Sequence, residues 1–381
     1  MHRKDIKAQI RKQLKTEYPN WQRLNRKEKK QIARKVLAEV FDSYDFSKEI
    51  ETPVPELIGL SDQQPTNGIL TIEQMAEFVQ AHQADPLFRL HGKHRPHPAI
   101  KDIELQTIDA LIDDRIVNKL LAPKGYTPAS RYLFPCNLFR AEMLKAIKYP
   151  EISYRKFCGD DKRYDNRKET SPYIGMESKQ NRAFIGLALN RKEMINHVQM
   201  SQFRSSLSYT QMINLNVYVL YLLQSKGLLN PNQVHFIDST ELAVDRQHLL
   251  AKMKIGKTNI RIYDDIDCDC GKRRNKRDKS IYVVGYRMHA LAVINPDNGH
   301  SIPLISVLAP ANHHDSHFMI PLINLSKAIG LDLKLITADE AYHDKDGSLL
   351  EQTGVHLIAP PNKKVALPGN VDAETHQVTC D

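Results

Sequence analysis

The chain has 381 residues, 41% of them hydrophobic, which suffices for two or three domains with packed cores and excludes wholesale disorder. A formal net charge of +9 favours polyanionic partners, because each Lys or Arg that neutralises a phosphate releases a counterion. Five scattered cysteines argue against a secreted disulfide framework; with no signal-like apolar region in MHRKDIKAQIRKQLK and no run near the roughly 20 residues that span a bilayer, a reducing, cytoplasmic setting without a membrane partner is expected.

Arg3 to about Lys48 is dense in Lys and Arg, with Ile32, Val36 and Val40 at helical intervals. It predicts two helices split near Pro19 and Asn20, either a solvated basic face or an arm that contacts DNA or a partner. Residues 51–70 form a Pro- and Gly-punctuated linker. From 71 to 229 the pattern is helical: Thr71–Gln83, Ile103–Leu121, Asn137–Ile147 and one long helix over Arg191–Leu223. The charged stretch Tyr154–Arg182 reads as short helices and loops of a helix-turn-helix-like DNA module.

After Leu229 the texture changes. VHFIDST, IYVVGYRMHALAVI and HSIPLISVLAP are strand patterns. A helix over Asp315–Ile329 stops at Gly330, and LKLITADEAY, a short helix near Asp346–Gln352, and VHLIAP follow. Three strands in succession predict antiparallel pairing, and strands alternating with helices predict parallel pairing. The expected architecture is α/β: a ribonuclease-H-like mixed sheet over 230–381, preceded by a basic helical segment (1–50), a linker and a helical DNA-binding domain (71–229).

Asp238 is read at the end of the first of these strands and Asp339 at the end of the fourth. In a mixed sheet, adjacent strand ends can bring such distant carboxylates together, where they repel unless a divalent cation neutralises them. Hard oxygen ligands select Mg²⁺ or Mn²⁺, and two such ions about 3.5–4 Å apart can clamp both oxygens of an in-line phosphodiester displacement. Taken singly, either aspartate could as well be a turn or cap residue; the set of blocks around them decides.

Four blocks, in order, carry a resemblance. HFIDST is similar to the strand holding the first acid of bacterial insertion-sequence transposases of the DDE superfamily. VVGYRMHALAV resembles their GYK-x-H strand, with Tyr286, Arg287 and His289 in its places and Arg287 replacing the usual lysine. LAPANHHDSHFMIPLI matches the block that here contains Asn312, His314, Asp315 and Ser316. ITADEAYHD resembles the second acid's block, with Ala341 where glycine is usual. The resemblance implies a ribonuclease-H-like core, Asp238 and Asp339 as catalytic metal ligands, and Mg²⁺ (or Mn²⁺) as cofactor. It places Arg287 and His289 near the DNA or the site, as candidate DNA contacts, and Asp315 as a residue that orients or caps the following helix. It also implies strand cleavage and transfer on double-stranded DNA, at terminal inverted repeats and target; self-association and a nucleoid-associated location are expected alongside.

The family's third acid is a glutamate on a helix after the last core strand. Past Pro360 the only glutamate is Glu374, in a turn-like context, so a C-terminally truncated chain is expected. The alternative to an active transposase is therefore an inactive remnant that binds DNA or regulates; a metal-dependent nuclease unrelated to transposition is a third reading. DDIDCDC (Asp264–Cys270) lacks a second ligand pair for zinc and is read as a charged surface loop. The histidines of NHHDSH are read as polar residues at a helix start.

Overall fold

Pro19 and Asn20 interrupt the N-terminal basic stretch, leaving α1 (His2–Glu17) and α2 (Arg26–Ser43) on either side of a 3-10 turn at Trp21–Arg23. Asn25 starts α2 with a reciprocal capping box: its side chain accepts from the Glu28 amide while Glu28 accepts from the Asn25 amide. Ile6, Ile10 and Leu14 bury one stripe of α1, and Ala33, Val36, Leu37 and Val40 bury one stripe of α2.

The computed structural model describes residues 2–47, 68–85, 97–122, 133–158, 178–189, 195–229, 233–244, 248–255, 258–274, 280–295, 299–342, 348–360, 370–371 and 378–379. Two units form, one from Met1–Pro65 with Asn230–Asp381 and one from Thr66–Leu229. No helix among the described residues is long and apolar enough to cross a membrane.

The second unit holds α3 (Ile72–His82), α4 (Ile103–Leu111), α5 (Asp114–Leu121), α6 (Pro135–Lys148), α7 (Tyr154–Cys158), α8 (Lys179–Ile185), α9 (His197–Ser206) and α10 (Tyr209–Ser225). Two helices expected as continuous are each two. Ile112 and Asp113 adopt extended backbone between α4 and α5, and the Asp113 carboxylate accepts from the Arg115 amide to start a new helix. Ser208 and Gln211 form a capping box that starts α10 afresh after α9. The helix-turn-helix-like module expected across Tyr154–Arg182 falls largely outside the described residues, which hold α7 and α8 at its two ends.

Arg140 is fully buried at the centre of this unit. Its guanidinium donates to Asp114 at 2.6 Å, to Asp109 at 2.8 Å and to the Ile112 carbonyl at 3.1 Å, and lies over the Phe184 ring. Both acids are also fully buried, so the charges are acceptable only because they are paired and hydrogen-bonded.

The first unit's sheet contains β1 (His235–Ala243), β4 (Asp269–Arg274), β5 (Ser280–Ile294), β6 (Ser301–Pro310), β7 (Leu335–Ala338) and β8 (His356–Ile358). Between β1 and β4 come β2 (Leu249–Ile255) and β3 (Thr258–Tyr263), paired as a separate antiparallel ribbon. α11 (Met319–Ala328) and α12 (Ser348–Thr353) intervene later, and β9 (Asn370–Val371) pairs with β10 (Val378–Thr379). β5 pairs antiparallel with β1 and β6, while β1–β7 and β7–β8 are parallel. The order β6-β5-β1-β7-β8, with three antiparallel strands followed by parallel ones, is ribonuclease-H-like. α11 packs on β5 and β6, burying Phe318, Met319, Leu322, Ile323 and Leu325. Gly330, at φ 94°, takes the left-handed conformation that closes this helix.

The segment between the first two predicted core strands departs from expectation. It contributes a ribbon and β4, and Asp264–Cys270 is not a surface loop. Leu250, Ala251, Ile260, Ile262 and Ile266 join the apolar cluster of α1 and α2, and the acids around them meet the helices' lysines. Lys7 pairs with Asp269, Lys29 with Asp264 at 2.7 Å and Lys15 with Asp267 at 2.7 Å. Arg11 donates to the Ile266 carbonyl and the Trp21 indole to the Asp264 carbonyl. Part of the basic N-terminal charge is thus spent inside the unit, on an acidic run.

Candidate active site

The site grows from the parallel register of β1 and β7. His235 pairs with Ile336, Phe236 with Thr337 and Ile237 with Ala338. The next residues along are Asp238 and Asp339, so the register sets two positions far apart in sequence at neighbouring places on adjacent strands, whose backbones run roughly 4.8 Å apart. One expectation needs correcting. Asp238 does not end β1, which runs on to Ala243 against β5; what ends beside it is the pairing with β7. The cause is local: after Asp339 the chain leaves the sheet in a 3-10 turn, Glu340–Tyr342.

Both acids are exposed. Asp339 Oδ1 accepts from the Ala341 amide at 3.0 Å, and its carbonyl oxygen accepts from the Tyr342 amide at 3.2 Å. Asp238 Oδ1 accepts from the Ser239 amide. Neither carboxylate has a Lys, Arg or His ion-pair partner among the described residues. Their oxygen donors suit a hard divalent cation, but two carboxylates are a partial set: no cluster of three or more His, Cys, Asp or Glu among the described residues could hold a metal ion. Glu340 is exposed at the start of the turn, and Glu374 lies outside the described residues.

On the face of β1 opposite to Asp238 lies a largely buried network. Ser239 stands opposite His289, and Glu241 opposite Arg287, so these four side chains share a face of the β1–β5 pair. Arg287 donates to Asp315 at 2.6 Å and to Glu241 at 3.3 Å. Burial opposes its charge, but the two carboxylates more than offset this and its pKa is raised. His289 has no solvent exposure; its Nδ1 lies 2.8 Å from the Tyr342 hydroxyl, and its ring stacks on Phe318 with centroids 4.5 Å apart. Burial, then the Arg287 charge, pushes its pKa down to about 3, so the imidazole is neutral. The Tyr342 hydroxyl is held protonated, first by burial, then by the negative charge of Asp315, with Asp238 and Asp339 adding to it.

Of the two places expected for His289, near the DNA or near the site, its full burial favours the second. Arg287 is 14% exposed and committed to two carboxylates. Asp315 is the acid that holds Arg287, while the residue capping its turn is His314, whose Nδ1 accepts from the Ser316 amide. At Asp264–Cys270, Asp264 and Asp269 are paired with Lys29 and Lys7, and burial pushes the Cys268 thiol up to about 12. Tyr342 was not singled out from the sequence. The β2–β3 ribbon was missed as well, although LLAKMKI and TNIRIY alternate apolar and polar residues on either side of Gly256.

Residues 230–376 match the family described as Transposase DDE domain, a match spanning less than half of the chain. No curated protein and no solved structure matches. The matched segment contains β1, β5, β6, β7 and both aspartates, and supports a transposase of the DDE superfamily.

Proposed function

We propose that the chain is a DNA transposase that cleaves strands at the ends of a bacterial insertion sequence and joins them to target DNA, with Asp238 and Asp339 as its acidic pair. The observation that supports this reading is the parallel register of β1 and β7, which sets Asp238 and Asp339 one step beyond the Ile237–Ala338 pair, with no Lys, Arg or His ion-pair partner for either acid among the described residues. Two neighbouring acids without a compensating charge repel each other, and a bound cation relieves this. Mg²⁺ or Mn²⁺ would be held by the oxygens of Asp238 and Asp339, and when bound would supply charge neutralisation at the phosphodiester and a more acidic attacking hydroxyl. The chain's own part is to keep both carboxylates ionised and in register. The excess positive charge would hold the DNA backbone, and the helical unit of residues 66–229 is the proposed DNA-binding element.

The test is Mg²⁺- or Mn²⁺-dependent nicking of DNA carrying the element's own ends. Asp238→Asn and Asp339→Asn should each lower the rate on the order of 10³-fold, since several kcal/mol of transition-state stabilisation are lost at about 1.36 kcal/mol per decade. Undiminished nicking by either variant would remove the pair from the mechanism. A second reading, a DNA-binding regulator without nuclease activity, is favoured by one observation: no third acid joins the pair among the described residues. DNA binding without nicking by the unsubstituted chain would select it.

A further inference from the structure

We infer that His289, acting through Tyr342, is a positioning residue for the acidic pair, an inference that rests on the proposed metal-binding role of Asp238 and Asp339. Three contacts join these groups. The Ala341 amide holds the Asp339 carboxylate, and the Tyr342 amide holds the Asp339 carbonyl, so the orientation of Asp339 depends on the path of the 340–342 turn. That turn is tied down by the Tyr342 side chain, fully buried, whose hydroxyl meets His289 Nδ1 at 2.8 Å. His289 in turn is clamped between strands: it stands opposite Ser239, the neighbour of Asp238, and stacks on Phe318 at the start of α11. One buried imidazole therefore holds the turn that orients Asp339 and stands in register with Ser239, whose neighbour Asp238 projects from the other face of β1.

The chemistry suits a fixed strut. A neutral imidazole nitrogen accepts the phenol proton in a dry setting, where such a bond is stronger and its loss leaves a buried polar group unpaired. His289 lies too deep to touch DNA, which separates this role from a substrate contact. A ring placed only to fill space would need no polar partner.

The experiment is Mn²⁺ titration of the full chain, followed by the electron paramagnetic resonance signal of free Mn²⁺, well below the unfolding temperature. Tyr342→Phe keeps the ring and deletes the hydroxyl; it should weaken Mn²⁺ binding on the order of tenfold, the scale of losing an outer-shell partner. His289→Leu should do the same, and His289→Gln, whose amide oxygen can accept the phenol proton, should recover part of the loss. Should His289→Leu fail to fold, Tyr342→Phe decides alone. If the unsubstituted chain binds Mn²⁺ and Asp238→Asn does not, but Tyr342→Phe binds as tightly as the unsubstituted chain, the positioning role is wrong and the metal reading stands. If the unsubstituted chain binds Mn²⁺ no better than Asp238→Asn, the metal reading falls, and the inference with it.

Discussion

Two groups of aspartates in this chain have opposite surroundings. In the helical unit, Asp109 and Asp114 are fully buried and share the guanidinium of Arg140, which donates to both and to a backbone carbonyl. In the sheet unit, Asp238 and Asp339 follow the last β1–β7 register pair and are exposed, with no ion-pair partner among the described residues. Among the described residues, the fold supplies a cation to the buried acids of the helical unit and none to Asp238 or Asp339. Acids answered by cations of the chain are structural; the proposed function gives the other pair to a cation from solution. The run Asp264–Asp269 falls on the structural side, since lysines of α1 and α2 answer it.

The largest test of this contrast is Arg140→Ala. It strands two buried carboxylates and should cost about 3–5 kcal/mol, read as a lower denaturant midpoint. Asp238→Asn should leave the same midpoint within about 0.5 kcal/mol while removing activity, as expected for an exposed surface substitution. If the two variants changed stability alike, the distinction between answered and unanswered acids would be lost.

Gly285 tests the strand junction that frames the site. A Cβ there would lie 2.0 Å from the Leu242 carbonyl oxygen, a backbone atom that cannot swing aside. Gly285→Ala should cost about 1–3 kcal/mol by the same measurement, with β1 displaced from β5.

Acid should weaken the sheet unit through His289. Its folded pKa of about 3 lies below the roughly 6.5 of an unfolded histidine, so the unfolded chain binds more protons between these values. Stability from this group is therefore complete above the unfolded value and is lost as pH falls from about 6.5 towards 3. Buried His235, also shifted down, contributes in the same sense. Melting curves over pH 7 to 4 should show the decline, and His289→Gln should flatten it; an unchanged slope would mean the imidazole is already charged in the fold.

The smallest effect belongs to Lys15. Its ammonium is half-exposed in the pair with Asp267, so Lys15→Ala should cost less than about 1 kcal/mol. A loss as large as that of Arg140→Ala would show that the N-terminal helices hang on surface pairs rather than on Ile6, Ile10 and Leu14.

Much of the site was legible before the fold. The alternation in HFIDST and VVGYRMHALAV marks strands, and the acids of HFIDST and ITADEAYHD sit where strand patterns give out. Helix breaks were legible in principle too, since Asn196 with Gln199 and Ser208 with Gln211 are capping boxes inside what looked like one helix. The docking of α1 and α2 on the acidic run was not, because charge pattern states that lysines and aspartates are present and not which will meet.

By itself the sequence determined the order of the core strands β1, β5, β6, β7 and β8, the parallel and antiparallel halves of their sheet, and the two candidate acids, because these depend on local periodicity and residue chemistry. Tertiary structure alone decided that β1 and β7 run side by side up to Ile237 and Ala338, that His289 lies buried against Tyr342, and that the basic N-terminus answers an acidic segment of the same unit. Each of those outcomes depends on strand register and on desolvation by distant residues, quantities that exist only once the chain has closed on itself.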